Sequence, residues 1–182
     1  PLLFLIYVND MPQSVNCDIL LYADDSCLTV THREINNIEN TLNSNLSSLC
    51  DWLVDNKLSI HLGKTESILF GTSTKLAKVN HLNIHHGNHV IEQKQSVKYL
   101  GVTLDNTLSG TSMVDRILSK INGKLRFLYR KQRFLSKGVR RLLCNSLIQP
   151  HYDFACCSWY PLLTQKLKKS YKYPKINAYD SV

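Results

Sequence analysis

The sequence has no long hydrophobic run. Its longest apolar stretch, from Leu2 to Val8, is far below the roughly 20 residues that a membrane-spanning helix needs. No secretory signal is visible in it, and it begins with Pro1 in the middle of an apolar pattern rather than with methionine. We therefore expect a fragment of a longer chain that lies in the nucleus or cytoplasm, is not secreted and has no membrane partner.

The sequence also lacks the cysteine spacing of a disulfide framework. Its six cysteines contain no Cys-x-x-Cys pair, which favours reduced, buried thiols in a reducing compartment. Four histidines do cluster, but a zinc site has a tighter spacing and usually includes cysteine. Exposed positions on a hairpin are therefore preferred to a metal site for His81, His85, His86 and His89.

Acidic residues are scarce toward the end of the chain. Residues 113–182 carry 15 Lys and Arg but 3 Asp and Glu, a net charge of +12, whereas residues 1–112 carry 7 and 11, a net charge of −4. A surplus of this size favours contact with a polyanion, because each neutralised phosphate releases counterions. A basic face that serves solubility alone is the alternative. The acidic pair described below makes nucleic acid the preferred partner.

The apolar residues suffice for one good core. The 182 residues are 43% hydrophobic, enough for a folded domain with a small appended subdomain. A capping box at Thr31–Glu34 predicts the start of a helix that continues to about Asp55 and packs under a sheet. Its stripe consists of Ile35, Ile38, Leu42, Leu46, Leu49 and Leu53.

Short β-prone segments and two further helices follow. A helix is predicted around the stripe of Ile117, Ile121, Leu125 and Leu128, and another over Lys137–Gln149, ended or bent by Pro150. Val139, Leu143 and Leu147 are the expected inner residues of the second. The predicted strands are Leu58–Ile60, Ser67–Phe70, a hairpin of Leu82–His85 with Val90–Glu92, and Lys98–Asp105, where Gly101 marks a bulge or close backbone approach.

The chain is organised around the segment Tyr22-Ala23-Asp24-Asp25. Apolar Asp18–Tyr22 precedes it and β-prone Ser26–Val30 follows it, so the pattern predicts a hairpin with two carboxylates at its turn. A single turn Asp is explained by local backbone hydrogen bonds. Two adjacent carboxylates repel each other and favour a cation, and Mg²⁺ is commonly held by one or two carboxylates together with substrate phosphates.

This segment resembles the catalytic turn of a reverse transcriptase from a jockey-type non-LTR retrotransposon, a transposable element of the LINE class. Neighbouring blocks fit in the same order: Pro1–Asp10 before the turn, then Asn56–Ser59 with Lys64-Thr65, then Lys98–Val102. The resemblance runs to about residue 169. It implies an α+β fold, with part of a polymerase palm (an antiparallel sheet with packed helices) over 1–110 and a basic helical thumb over 111–170. The stretch 171–182 departs from the family pattern and is polar, so we expect a poorly ordered tail there.

The resemblance implies an RNA-directed DNA polymerase, a nucleotidyltransferase that uses two Mg²⁺ ions. Asp24 and Asp25 would be the metal ligands, and Lys64 would act as an acid toward the leaving pyrophosphate. Tyr22 would support the turn at the primer end, where Ala23 keeps the approach small. The hairpin at Tyr99, Leu100 and Gly101 would grip the primer.

The same resemblance implies an RNA template, a DNA primer and a dNTP as partners. A duplex backbone is bound by charge and shape without base contacts, which suits basic thumb helices. The residues expected there are Lys120, Lys124, Arg126, Arg130, Arg133 and Arg140.

A further catalytic Asp of this family lies on a strand upstream of the hairpin, and the chain begins after it. The chain alone is therefore expected to be inactive and to require the upstream half of the polymerase. A decayed or co-opted nucleic-acid-binding module without catalysis is the alternative.

Overall fold

The computed structural model describes the backbone of residues 2–79 and 81–180, and the side chains of residues 2–79 and 81–172. The described part is an α+β protein that forms two compact units. The first unit consists of Pro1–Leu69 and Thr74–Lys94, and the second of Phe70–Ser73 and Gln95–Val182. The boundary predicted after residue 110 falls inside the second unit.

The elements in chain order are α1 (Leu2–Tyr7), β1 (Asp18–Tyr22), β2 (Asp25–Thr29), α2 (Ile35–Asp55), β3 (Glu66–Ser67), α3 (Ser73–Leu76), β4 (His85–His86), β5 (His89–Val90), β6 (Glu92–Gln93), β7 (Ser96–Tyr99), β8 (Val102–Asp105), α4 (Thr111–Lys131), α5 (Lys137–Leu147), α6 (Gln149–Asp153), α7 (Cys156–Trp159) and α8 (Gln165–Asp180). Single 3₁₀ turns lie at Met11–Ser14, Leu62–Lys64, Gln132–Phe134 and Tyr160–Leu162.

Helix α2 supports the β1–β2 hairpin, as its apolar stripe predicts. Leu49 of the helix is buried in a cluster that includes Ile19, Leu21 and Leu28 from the inner face of the hairpin. Leu46, one helical turn earlier, belongs to a second cluster with residues of the small strands. One apolar stripe therefore serves two cores within the first unit, because residues three and four apart share a helix face.

The capping box predicted at the start of α2 is wrong. The helix begins at Ile35, and Glu34 is its N-cap without a side-chain cap hydrogen bond. The Glu34 backbone N–H instead donates to Nδ1 of His32 at 3.1 Å. Thr31 lies too far before the first helical turn for its hydroxyl to serve it.

The predicted strands are shorter in the structure, and one is absent. Leu58–Ile60 has no strand pairing, and the segment predicted as Ser67–Phe70 reduces to Glu66–Ser67, which pairs in parallel with Glu92–Gln93. The histidine-rich hairpin is confirmed as a pairing of His85–His86 with His89–Val90, and Gly87 has φ +57° at its turn. β-propensity alone does not supply the partner strand that a ladder requires.

The second unit is built around α4. Ile117, Ile121, Leu125 and Leu128 are all buried, which confirms the predicted stripe. Helix α5 starts at Lys137 as predicted but ends at Leu147, and α6 with Pro150 follows. Of its expected inner residues, Leu143 is half-buried and packs against this core. Val139 and Leu147 are exposed, so their predicted burial is wrong, and Cys144 and Ile148 are buried instead.

The chain after residue 164 extends this core. Helix α8 covers Gln165–Asp180, so from residue 171 onward it overlaps the stretch 171–182 that was expected to form a poorly ordered tail. Tyr171 is buried, packs edge-to-face on Tyr152 and Trp159, and donates its hydroxyl hydrogen to the Tyr152 carbonyl at 2.7 Å. An aromatic ring with a satisfied hydroxyl therefore anchors the helix. Residues 181 and 182 lie outside the described residues.

All six cysteines are free thiols, as their spacing predicts. Cys50 and Cys144 are buried, whereas Cys157 is exposed. Burial raises the pKa of both the Cys50 and the Cys144 thiol above the ordinary value, so both side chains act as neutral apolar groups at pH 7.

No helix in the described part of the chain has both the length and the apolar character needed to cross a membrane.

Candidate active site and nucleic-acid surface

The two adjacent carboxylates lie at the tip of the β1–β2 hairpin. Tyr22 pairs with Asp25, so Ala23 and Asp24 are the two residues of the connecting turn. The register continues without a bulge to the pairing of Asp18 with Thr29. The hairpin predicted from the sequence is therefore confirmed, with β2 starting one residue earlier.

The strand alternation decides which side chains face solvent. Ile19 and Leu21 point toward the core of the first unit, so Leu20 and Tyr22 lie on the outer face, where Tyr22 is 64% exposed. Asp25, as the cross-strand partner of Tyr22, shares this outer face, and both Asp24 and Asp25 are exposed. The carboxylates are thus held at a tight bend and presented to solvent.

Ala23 has a left-handed backbone, with φ +53°. Two-residue hairpin loops require positive φ at one or both central positions, because only such turns match the twist of the paired strands. A non-glycine residue in this region is strained by about 1–2 kcal/mol. The fold therefore maintains a strained residue directly before Asp24.

Substitutions at Ala23 test this strain. Ala23→Gly is expected to stabilise the hairpin by up to about 1 kcal/mol, because glycine adopts positive φ readily, although it loses more entropy on folding. Ala23→Val is expected to destabilise it by about 1 kcal/mol or more, because β-branched residues rarely adopt this conformation. Hydrogen exchange of the β1–β2 amides measures both, and equal exchange rates in the two variants would contradict the assignment.

Lys64 lies in the same unit as the acidic pair, on the 3₁₀ turn Leu62–Lys64. Its backbone N–H donates to the His61 carbonyl at 2.9 Å, which fixes the backbone of this turn, and its side chain is exposed. An exposed ammonium on a fixed turn is suited to contact a phosphate.

Leu100 and Gly101 form a hairpin turn between Tyr99, the last residue of β7, and Val102, so this segment is not one interrupted strand. Leu100 has φ +45° and Gly101 has φ +85°, the positive pair that a type I′ turn requires. The predicted close approach at Gly101 is confirmed, because a Cβ there would lie 2.8 Å from Cζ of Phe154. Leu100 is exposed at the tip of the turn.

Sequence reasoning gave no role to Arg116, which joins this turn to α4. Its Nη1 donates to the Gly101 carbonyl at 3.3 Å and to Oγ1 of Thr103 at 3.0 Å. The signal in the sequence was a basic residue on a helix after the hairpin, and that pattern is shared with many surface residues. The hydrogen bonds make Arg116 a positioning residue for the Leu100-Gly101 turn.

Most of the predicted basic surface is exposed. Lys120, Arg126, Arg130 and Arg133 are exposed, and Arg140 is half-buried. Lys124 is different, because its Nζ donates to the carbonyl of Leu147, the last residue of α5, at 2.8 Å and lies 2.6 Å from Nε2 of His151. It caps a helix C-terminus, where a cation is stabilised by the exposed carbonyls.

The neighbourhood of Lys124 keeps His151 neutral. Burial lowers the pKa of His151 below its ordinary value, and the charges of Lys124 and Lys120 lower it further. A neutral imidazole is able to accept a hydrogen bond from the Lys124 ammonium, whereas an imidazolium would repel it.

The donor chemistry of the hairpin tip fits a hard divalent cation. Two carboxylates at adjacent positions provide oxygen ligands, and Mg²⁺ takes one or two such ligands together with substrate phosphates and water. Among the residues whose side chains are described, no group of three or more His, Cys, Asp or Glu side chains is placed to hold a metal ion. Two carboxylates leave the other coordination positions of such an ion to water and to substrate oxygens.

Comparison with known proteins finds one matching protein family and similar proteins from transposable elements. Residues 1–104 match the family model of reverse transcriptase (RNA-dependent DNA polymerase). The chain is similar to the probable RNA-directed DNA polymerase from transposon X-element of Drosophila melanogaster, at 23% identity over 170 residues, which are 87% of this chain and 18% of that protein. It is also similar to the RNA-directed DNA polymerase from mobile element jockey of the same organism, at 24% identity over 161 residues, or 82% of this chain and 17% of the relative.

The chain spans less than a fifth of the length of these curated relatives. No solved structure matches it. The family match covers more than half of the chain and includes the Tyr22–Asp25 turn. The chain therefore belongs to the reverse transcriptase family, and its resemblance to the polymerases of jockey-type non-LTR retrotransposons is confirmed.

Proposed function

We propose that this chain supplies the metal-binding turn and part of the nucleic-acid surface of an RNA-directed DNA polymerase that performs nucleotidyl transfer. One observation carries the proposal. The hairpin register makes Ala23-Asp24 a two-residue turn and leaves Asp24 and Asp25 exposed beside Tyr22. A structural Asp pair would instead be bonded to its own backbone or to nearby cations within the fold.

Asp24 and Asp25 would hold Mg²⁺. Divalent ions held by these carboxylates would supply electrostatic stabilisation of the charge that develops during phosphoryl transfer. Tyr22, on the same face as Asp25, provides a rigid side chain against which the primer end rests. Ala23 adds one methyl group to the turn and leaves room for the primer strand. Lys64 would act as an acid toward the leaving pyrophosphate, transferring a proton from its ammonium and becoming a neutral amine.

In this proposal residues 1–110 correspond to the later part of a polymerase palm and residues 111–170 to its thumb. The partners are an RNA template, a DNA primer and a dNTP. The Tyr99–Gly101 turn, secured by Arg116, contacts the primer strand. The exposed cations Lys120, Arg126, Arg130 and Arg133 contact phosphates, which gives affinity without base sequence.

Binding of an RNA–DNA hybrid by the 182-residue chain tests the nucleic-acid part of the proposal. Fluorescence anisotropy is expected to show affinity that falls linearly on a log–log plot against salt concentration. Arg126→Gln and Arg130→Gln should each reduce the slope by about 1, because each removes one phosphate contact. Arg33→Gln, an exposed arginine of the first unit, is the matched control and should leave the slope unchanged. A slope that neither variant alters contradicts the proposal.

We expect catalysis to require more of the polymerase than this chain, because a two-metal site of this family uses a further carboxylate beyond the pair at Asp24 and Asp25. The chain alone is expected to show no template-dependent primer extension with Mg²⁺, and the complete polymerase is expected to show it. Clear extension by the 182-residue chain alone would refute this expectation.

A nucleic-acid-binding module without catalysis is the second candidate function. It is favoured by the absence of a third metal-binding side chain beside the pair among the described residues. The two candidates differ in the complete protein, where loss of the Asp24 carboxylate abolishes extension in the first and has no effect on any measured activity in the second.

A further inference from the structure

Two phenylalanines on the basic face of the second unit are exposed. Phe134 is 81% exposed and Phe127 is 47% exposed, although both lie within the most basic part of the chain. Buried apolar positions are available on the same helix, and Leu125 and Leu128 on either side of Phe127 occupy them. Two large rings in water within one basic segment point to a ligand that covers them.

The helical spacing brings these rings next to cations. Lys120 lies seven residues before Phe127, Arg130 and Lys131 lie three and four residues after it, and residues at these intervals share a helix face. The helix continues as a 3₁₀ turn to Phe134, so residues three apart are eclipsed there. Nζ of Lys131 lies 6.0 Å from the centre of the Phe134 ring. We call Lys120, Phe127, Arg130, Lys131 and Phe134 the basic–aromatic ridge.

The ridge has an unusually one-sided charge. Between Asp115 and Asp153 the sequence contains no Asp or Glu, whereas it contains ten Lys and Arg. The positive charge of this segment is therefore not offset by any acidic residue within it. A surface of this kind attracts a polyanion, and the exposed rings add a preference for a polyanion that has flat apolar groups.

We infer that the basic–aromatic ridge binds single-stranded nucleic acid, with unpaired bases stacked on Phe127 and Phe134 and phosphates beside Lys120, Arg130 and Lys131. Every base has a π face, so stacking on aromatic side chains is tolerant of sequence. The bases of a duplex are already stacked on each other and are not accessible to the rings, so the rings distinguish an unpaired strand from a hybrid. The inference rests on the proposed function: Lys120 and Arg130 contact phosphates of paired and unpaired strands alike, and the two rings add a preference for an unpaired strand.

Anisotropy titrations of the 182-residue chain test the inference with four labelled probes of equal length: an oligoribonucleotide, an oligodeoxyribonucleotide, an abasic oligodeoxyribonucleotide and a blunt RNA–DNA hybrid. Phe134→Ala is expected to weaken binding of both base-containing strands by roughly 10-fold, because one stacking contact is lost. Binding of the abasic strand should be unchanged, since the phosphate contacts remain. Phe134→Trp should retain the affinity, because it keeps a stacking surface.

Leu142→Ala is the matched control, because Leu142 is an exposed aliphatic residue of the same unit and has no π face. It should leave all affinities unchanged. An equal loss of affinity for the abasic strand in Phe134→Ala would overturn the inference, as would an equal loss for a blunt RNA–DNA hybrid. Sedimentation that shows a dimer dissociated by Phe134→Ala would also overturn it, because the rings would then cover a second copy of the chain.

The test separates this inference from the proposed function. If the hybrid binds with the expected salt dependence and Phe134→Ala does not weaken single-strand binding, the inference fails and the proposed function stands. If the wild-type chain binds none of the nucleic acids, both fail.

Discussion

Replacing Asp24 with Asn in the complete polymerase is expected to reduce template-dependent primer extension about 1000-fold. The substitution keeps the shape of the side chain and a turn-forming residue but removes the charge that holds a divalent cation. Metal ions contribute several kcal/mol to phosphoryl transfer, and about 4 kcal/mol corresponds to a factor of about 1000 in rate. Single-nucleotide incorporation at saturating Mg²⁺ measures the effect.

Asp18→Asn is the matched control for this experiment. Asp18 is an exposed acid on the same hairpin, but it lies at the far end of the ladder and pairs with Thr29. Its substitution should leave the incorporation rate within about twofold, since isolated surface substitutions have small effects. Equal losses of incorporation rate in the two variants would mean that any negative charge on the hairpin supports the reaction, and would contradict a metal site at the turn.

Asp105→Ala is expected to destabilise the second unit by about 3 kcal/mol. The buried carboxylate accepts hydrogen bonds from Oγ1 of Thr107 at 2.7 Å and from the backbone N–H groups of Ser109 at 2.8 Å and Gly110 at 3.0 Å. Hydrogen bonds to a charged group contribute about 1.5–3 kcal/mol each, and their loss leaves donors without a partner. The affected loop joins β8 to α4, so loss of these hydrogen bonds frees the start of the central helix.

Urea unfolding followed by the fluorescence of Trp159 measures this effect, in a Trp52→Phe background that leaves one tryptophan in the chain. Trp159 is buried in the same unit as Asp105. Asp115→Ala, at an exposed position of α4, is the control and should change the stability by at most about 0.5 kcal/mol. Similar stability in the two variants would show that the loop does not depend on its carboxylate.

The Asp105 carboxylate also makes the stability of the second unit depend on pH, so that stability is lost at low pH. Burial by itself raises the pKa of Asp105, but the hydrogen bonds from Thr107, Ser109 and Gly110 outweigh it and lower the pKa below its ordinary value of 3.8. A group with a lowered pKa in the folded state stabilises the fold above its unfolded pKa and loses this contribution as the pH falls through the folded value. Acid unfolding of Asp105→Ala should therefore show a weaker dependence on pH below about 4 than that of the wild type.

The hairpin that carries the candidate site was largely predictable because its signals are local. The hairpin depends on two short β-prone runs and on the turn between them, all within 13 residues. The outward position of Asp25 follows from the alternation of side chains along a strand whose inner residues are apolar. Likewise the stripes of α2 and α4 follow from helical periodicity.

Where the sequence-based predictions were wrong or incomplete, the sequence did not show which neighbouring segment each residue contacts in the fold. Leu58–Ile60 has β-propensity, but no neighbouring segment pairs with it. In α5, Val139 and Leu147 are as apolar as Ile148, and the orientation of the helix on its neighbours alone decides that Ile148 is buried. Lys124 was indistinguishable from its basic neighbours until the end of α5 provided a carbonyl within reach.

The sequence by itself determined the family, the acidic turn, the two long amphipathic helices and the separation of charge along the chain, since each depends on residue identity at short spacing. The tertiary structure decided that Arg116 holds the Leu100-Gly101 turn, that Asp105 closes the loop before α4 and that Phe127 and Phe134 remain in water. These features depend on which surfaces pack against each other and which remain exposed, and that packing is determined by residues that are far apart in the sequence.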